Sequence, residues 1–121
     1  ANQTGKVLSP RKIMMSTRDR AEEIGKKIEQ QKDWKSEEKS LLYHYISEEE
    51  IRACTTCNAC VEACPVSINP LDIIVQLRRY LIMEKSASPQ EWTSMFGNIE
   101  NNFAPWKFSP DQRMNWTKES I

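Results

Sequence analysis

All the cysteines of the chain lie within eleven residues, at Cys54, Cys57, Cys60 and Cys64, and Pro65 follows the last of them. The spacing is C-x2-C-x2-C-x3-C-P, which holds iron–sulfur cubanes in bacterial ferredoxins. In proteins with two clusters, the fourth cysteine of such a run ligates the neighbouring cluster. The run therefore predicts an iron–sulfur site, and it also predicts that a single run supplies only part of the ligands.

Three other uses of these cysteines compete with a cluster. Zinc sites usually split their cysteines into two pairs separated by a longer segment. Disulfide frameworks belong to secreted domains, and the first residues of the chain contain no apolar secretory segment. A catalytic thiol would need an acid–base partner, and His44, the only histidine, is better interpreted as a packing or surface residue. The spacing favours the cluster, with a structural zinc module as the main alternative.

The composition limits the classes of function. Hydrophobic residues make up 39% of the 121-residue chain, charged residues 28%, and the mean hydropathy is −0.66. A core this thin favours a bound metal or a partner as an additional source of stability. Seventeen basic and seventeen acidic residues cancel, whereas nucleic-acid binding favours a basic excess. No stretch is long and apolar enough to span a membrane. We therefore expect a protein that binds no nucleic acid and has no membrane span within these residues.

The elements are predicted to be helices throughout, so the fold class is all-α. Ser and Asn cap helix starts, Pro is tolerated at the first helical position, and Ser with Glu three residues later forms a capping box. The apolar positions then recur at helical spacing rather than alternating as in strands. The predicted starts are Ser9-Pro10, Ser47 with Glu50, Asn69-Pro70 and Ser88-Pro89; the predicted apolar stripe of the first helix is Ile13, Thr17, Ala21, Ile24 and Ile28.

A single domain is predicted over residues 1–121. Within it, the charged segment 26–39 is interpreted as a helix end and linker, pinned by Trp34, and residues 107–121 as a tail. The helix that starts at Ser88-Pro89 is predicted to stop near Gly97, with a loop over residues 98–106. A last turn is predicted from Ser109-Pro110.

Two segments of the chain match after a shift of sixty positions. Leu8-Ser9-Pro10 aligns with Ile68-Asn69-Pro70, and Arg18 aligns with Arg78. The match has two interpretations: chance similarity between capped amphipathic helices, or an internal duplication whose first cysteine run lies before residue 1. Arg78 and its neighbour Arg79 are interpreted either as charges near a cluster or facing an acidic partner, or as part of a solvated helix face.

The segment CTTCNACVEACP (residues 54–65), the segment that follows it to Trp92, and TGKVLSPRKIMMSTRDR (residues 4–20) resemble a known family. They are similar to the dicluster α-helical ferredoxin domain of heterodisulfide reductase-like iron–sulfur proteins. The same fold occurs in the iron–sulfur subunits of succinate dehydrogenase and fumarate reductase. The resemblance covers roughly residues 4–106, although only one cysteine run is present.

The resemblance implies two [4Fe–4S] clusters in an electron-transfer subunit that has no substrate site of its own. Cys54, Cys57 and Cys60 would bind one cluster, and Cys64 would complete the other. The implied partner is a redox protein, either a cysteine-rich heterodisulfide reductase-like subunit or a quinone- or flavin-linked subunit. The implied location is the cytoplasm, including the inner face of the membrane. The alternative function is a structural zinc- or cluster-binding helical module.

Overall fold

The computed structural model describes residues 2–30 and 39–118, and the regular structure in these ranges is helical. Leu42 and Ile46 form an isolated bridge, and the described ranges contain no strand, which confirms the all-α prediction. None of the described helices is long and apolar enough to cross a bilayer. The α-helices are α1 (Pro10–Gln30), α2 (Leu41–His44), α3 (Glu48–Arg52), α4 (Ala59–Glu62), α5 (Pro70–Met83) and α6 (Gln90–Asn102), with 3-10 helices at Asn2–Thr4 and Pro110–Thr117.

The chain divides into two compact units between Glu84 and Lys85. The first unit contains α1 to α5 and all four cysteines. The second contains α6 and the 3-10 helix Pro110–Thr117, which begins where a last turn was predicted. Of the predicted linker, residues 26–30 belong to α1, while residues 31–38, including Trp34, lie outside the described residues. The predicted domain, linker and tail boundaries stay predictions.

Helix α5 is the centre of the first unit because it contacts α1, α3 and α4. Its start is as predicted: Asn69 caps the helix by accepting the Asp72 N–H (3.1 Å), and Pro70 takes the first helical position. Helix α1 also contacts α2, so the five helices of this unit pack around one small core. The largest fully buried side chains of the described residues are Ile13, Leu42, Ile46, Ile51, Ile74 and Leu81.

The apolar stripe predicted for α1 is wrong at Ala21 and Ile28, while Thr17 and Ile24 are half-buried. Ile13 is buried, but Ala21 is exposed and Ile28 retains half of its exposure. Arg20 is buried instead, and it donates a hydrogen bond to the Lys39 carbonyl. The helical spacing correctly predicted the helix. Which face of α1 is buried depends instead on the later segment, around Lys39, that packs back along it.

Helix α6 does not stop near Gly97 as predicted. It continues to Asn102, and the chain turns at Phe103, whose φ of 56° is left-handed. Glycine inside a helix costs roughly 1 kcal/mol relative to alanine, and it ends a helix only where its φ is positive. Gly97 has helical geometry, so the predicted loop over residues 98–106 is helix for its first half.

The capping box predicted at the start of α3 is confirmed. The Ser47 hydroxyl accepts the Glu50 N–H (3.2 Å), and the Glu50 carboxylate accepts the Ser47 N–H (2.9 Å). Lys12 of α1 donates to the same carboxylate (2.8 Å). Burial disfavours the charged form of Glu50, but the hydrogen bonds from Lys12 and Ser47 outweigh it and lower its pKa. Glu50 thus both caps α3 and links it to α1.

We expect Glu50→Ala to lower the free energy of unfolding by about 1–3 kcal/mol, because it removes the cap on the Ser47 N–H and the buried carboxylate that links α3 to Lys12 of α1. Urea unfolding followed by far-UV circular dichroism measures the loss. Glu49→Ala is the matched control, since Glu49 is the exposed neighbour in the same helix. Equal losses in the two variants would contradict the assigned role of Glu50.

Glu23 ties α1 to the segment that leads into α2. Its carboxylate accepts hydrogen bonds from the Tyr45 hydroxyl and from Lys39 (3.1 Å). Arg20 (3.3 Å) and Lys27 (3.3 Å) pair with it from α1 itself. The Lys39 ammonium also lies 4.7 Å from the centre of the Tyr45 ring. The hydrogen bond from Tyr45, followed by the one from Lys39, lowers the pKa of Glu23 to about 2.

The ordinary pKa of Glu23 is 4.5. A depressed carboxylate pKa gives a stabilisation that is present above the ordinary pKa and lost as the pH falls towards the depressed one. Glu23→Gln should therefore be less stable than the unchanged chain at neutral pH, and the difference should shrink between about pH 4.5 and about pH 2. Urea titrations across this range measure it. Glu29→Gln, an exposed change in the same helix, is the matched control, and a difference for Glu23→Gln that is constant with pH would refute the prediction.

Candidate iron–sulfur site

The cysteine run follows directly on α3. Ala53 ends that helix, and Cys54 is the next residue. Arg78 of α5 reaches this point and donates to the Ile51 carbonyl from Nε (2.9 Å) and Nη2 (2.6 Å), and to the Cys54 carbonyl from Nη2. The capping box therefore sets the start of the short helix, and Arg78 holds its end where the first cysteine enters the loop.

Sequence reasoning left open whether Arg78 is a solvated residue, and the structure makes it a half-buried contact between two elements. The spacing of residues in the sequence contained a signal for the partial burial of Arg78. Ile74 and Leu81 are the fully buried side chains of α5, and Arg78 stands four residues after the first and three before the second. Residues at these spacings share one face of a helix. Arg79 falls on the exposed side.

The loop backbone turns sharply between the cysteines. Thr56 (φ 57°) and Asn58 (φ 64°) are left-handed, and Ser67 (φ 56°) repeats this after the run. The turn at Asn58 starts α4, which contains Cys60. Most side chains resist a positive φ, while asparagine tolerates it. The residues between the cysteines therefore shape the loop as well as leaving room around the thiols.

Backbone N–H groups donate to sulfurs of the cysteine run. The Thr56 N–H donates to Cys54 Sγ (3.4 Å), and the Ile68 N–H donates to Cys64 Sγ (3.3 Å). At Cys57, the backbone N–H of Ala59 and then the Thr55 hydroxyl lower the pKa of the thiol. Donors of this kind stabilise thiolates, which are the form of cysteine that binds metal.

The four thiols differ in exposure, and none is in a disulfide. Cys57 is exposed, whereas Cys54, Cys60 and Cys64 are half-buried. A cavity of about 240 Å³ lies beside the run; it is lined by Cys60, Cys64, Ile68 and Pro70 and by Pro10, Arg11, Met14 and Met15 of α1. Its walls include Pro10 and Pro70, the two prolines that the sixty-residue shift aligns.

The donor chemistry of this region suits an iron–sulfur cluster. Four soft thiols stand at ferredoxin spacing, and backbone N–H groups already face two of them. Among residues 2–30 and 39–118, no group of three His, Cys, Asp or Glu side chains is close enough together to hold a metal ion. The division of ligands between Cys54, Cys57 and Cys60 on one side and Cys64 on the other stays a prediction.

His44 lies in α2 and is exposed, in agreement with its interpretation as a surface residue. Its Nδ1 accepts the backbone N–H of Ser40 (3.2 Å). This hydrogen bond gives the imidazole a local structural role at the turn into α2.

We expect Asn58→Val to destabilise the loop by about 1–2 kcal/mol, because a β-branched side chain resists the left-handed conformation at this position. Asn58→Gly should retain most of the stability, since glycine adopts positive φ without this steric cost. The free energy of unfolding, measured in urea, separates the two variants. If both variants lose the same amount, the backbone at Asn58 is not the cause.

Known proteins are similar in sequence to the part of the chain that contains α1 and the cysteine run. The family model described as "4Fe-4S dicluster domain" matches residues 8–68, about half of the chain. The matched span begins at Leu8 and ends at Ile68, the pair of residues that the sixty-residue shift aligns. It contains α1 and the complete cysteine run.

Three relatives have names that describe redox proteins. The "EtfAB:quinone oxidoreductase" of Syntrophomonas wolfei is 40% identical over 68% of this chain and 12% of its own length. The "Probable iron-sulfur-binding oxidoreductase FadF" of Bacillus subtilis is 30% identical over 99% of this chain and 21% of its own. The "Probable membrane-anchored ferredoxin" of Chromohalobacter salexigens is 38% identical over 61% and 11%. The chain thus spans about a fifth or less of the length of these relatives. No solved structure matches it.

Proposed function

The chain belongs to the 4Fe-4S dicluster domain family, and from this premise we propose that Cys54, Cys57, Cys60 and Cys64 are the ligands through which it holds its [4Fe–4S] clusters. Such clusters accept and release single electrons, so the chain is an electron-transfer module. The observation that carries the assignment of ligands is the cysteine run itself, which lies inside the matched span and contains every cysteine of the chain.

Within this proposal, the ligands divide between two clusters. Cys54, Cys57 and Cys60 hold one cluster, and Cys64 completes its neighbour, as the dicluster pattern implies. The family match supports this division, because the dicluster description implies a second cluster for Cys64 to complete. The sulfur of Cys64 accepts a hydrogen bond from Ile68, and the sulfur of Cys54 accepts one from Thr56.

In this function, the backbone N–H groups and the exposure of the loop help to set the reduction potential of the cluster. Hydrogen bonds to ligand sulfurs and the degree of solvent exposure set the reduction potential of a cluster. Thr56 and Ile68 donate such hydrogen bonds at Cys54 and Cys64. The exposed Cys57 places one edge of the run at the protein surface, where an electron can pass to or from a partner.

A redox protein is the general partner of the module, and we propose a flavin- or quinone-linked one. The name of the Syntrophomonas wolfei relative, which includes a quinone oxidoreductase activity, supports this choice. A cysteine-rich heterodisulfide reductase-like subunit is the second candidate, supported by the resemblance of the flanking segments. The name of the Chromohalobacter salexigens relative favours a place at the membrane face.

Anaerobic reconstitution with iron and sulfide tests the function. The chain should become brown and give an electron paramagnetic resonance signal when it is reduced. The iron and acid-labile sulfide contents per chain, together with the mass in solution, show whether a second chain shares a cluster. A colourless chain that keeps zinc after this treatment would overturn the proposal in favour of the structural zinc module.

Single Cys→Ser variants test the division of ligands. Cys54→Ser should lose most of the iron of the cluster that Cys54, Cys57 and Cys60 hold, because serine is a poor substitute for a thiolate. Cys64→Ser should spare this cluster and affect the neighbouring one. His44→Ala is the control and should keep the full iron content, as expected for a surface residue. Identical iron contents and spectra for Cys54→Ser and Cys64→Ser would contradict the division.

A further inference from the structure

We propose that Arg78 is the positioning residue of the site: it fixes the backbone of the first ligand, Cys54, and holds a positive charge beside it. The inference rests on the proposed function, since Cys54 is there a cluster ligand. It goes further by assigning to a residue outside the cysteine run an effect on both the retention and the reduction potential of the cluster.

The contacts of Arg78 carry the first part of this inference. One guanidinium bonds to two carbonyls, those of Ile51 and Cys54, and so spans the end of α3 and the start of the loop. Carbonyls at the end of a helix lack intrahelical partners, and a guanidinium is a planar set of donors with a fixed geometry. Because Arg78 is anchored in α5, it fixes the position of Cys54 relative to that helix.

The anchor is rigid on both sides. Ile74 and Leu81, which flank Arg78 on the same face of α5, are fully buried, and Ile51 is fully buried in α3. The guanidinium is therefore held between two packed elements, and its own side chain is only half-exposed. A displacement of Cys54 would have to break the hydrogen bonds from Arg78 or move α3 against α5.

The charge of Arg78 carries the second part. The guanidinium bonds to the carbonyl of the same residue whose thiolate would ligate the cluster. Reduction adds a negative charge to the cluster, and a nearby cation favours the more negative state. Partial burial limits the screening of this interaction by salt. Arg78 should therefore raise the reduction potential of the cluster to which Cys54 belongs.

Arg79 supplies a matched control, because it is the next residue, has the same charge and is exposed on α5. The test compares Arg78→Gln, Arg78→Lys and Arg79→Gln in the reconstituted full chain. Arg78→Gln should release iron to a chelator several-fold faster than Arg79→Gln and should have a more negative midpoint potential. Arg78→Lys should release iron faster but keep a potential near that of the unchanged chain, because it retains the charge without the planar donor set.

Equal iron release and equal potentials for Arg78→Gln and Arg79→Gln would overturn the inference. If Arg78→Gln does not fold, Arg78→Lys decides by its rate of iron release against Arg79→Gln. Amide hydrogen exchange of residues 52–57 in the cluster-free chain is a readout that needs no cluster: it should be faster in Arg78→Lys than in Arg79→Gln, and equal exchange would overturn the positioning role. Failure of the proposed function would look different, since the unchanged chain would then hold no redox-active cluster.

Discussion

Burial of one face of α5 is the constraint on which the rest of the first unit depends. The same face contains two fully buried apolar side chains, Ile74 and Leu81. Between them lies Arg78, which donates a hydrogen bond to a carbonyl at the end of α3. Because α5 also contacts α1 and α4, it joins the helix before the cysteine run, the short helix inside the run and the long N-terminal helix. The geometry of the cysteine loop therefore follows from how α5 packs.

The core built around α5 is thin, so a cluster that bound only the folded chain would add substantially to its stability. Six large side chains are fully buried within the described parts of the first unit. A group that binds only the folded chain stabilises it in proportion to its affinity and concentration. The cavity beside Cys60 and Cys64 leaves apolar side chains of α1, such as Met14, without close packing on that side. Filling this cavity would add contacts between α1 and the cysteine loop.

Local signals were sufficient to predict the starts of α1, α3 and α5, but not the partners of long side chains. The start predicted for α6 was wrong by one residue, because Pro89 rather than Ser88 precedes the first helical residue, Gln90, and no side chain caps it. The capping box of Ser47 and Glu50 and the cap of α5 at Asn69 depend on residues three positions apart, so the sequence contains the whole interaction. The link from Glu23 to Tyr45, in contrast, joins residues twenty-two positions apart, and it exists only because the chain returns along α1. The same limit explains why the buried part of α1 was predicted incorrectly.

The sixty-residue repeat shows the same limit of local sequence signals, here for residues beside the cysteine run. Both copies begin a helix with a cap and a proline, and Pro10 and Pro70 line the same cavity. The aligned arginines nevertheless differ: Arg18 is exposed and pairs with Asp19 in its own helix, whereas Arg78 reaches two carbonyls of another element. A repeated pattern therefore fixes the start of each helix. The role of an individual side chain depends instead on the element packed against it. Of the two aligned arginines, only Arg78 lies within hydrogen-bond distance of the end of α3 and of Cys54.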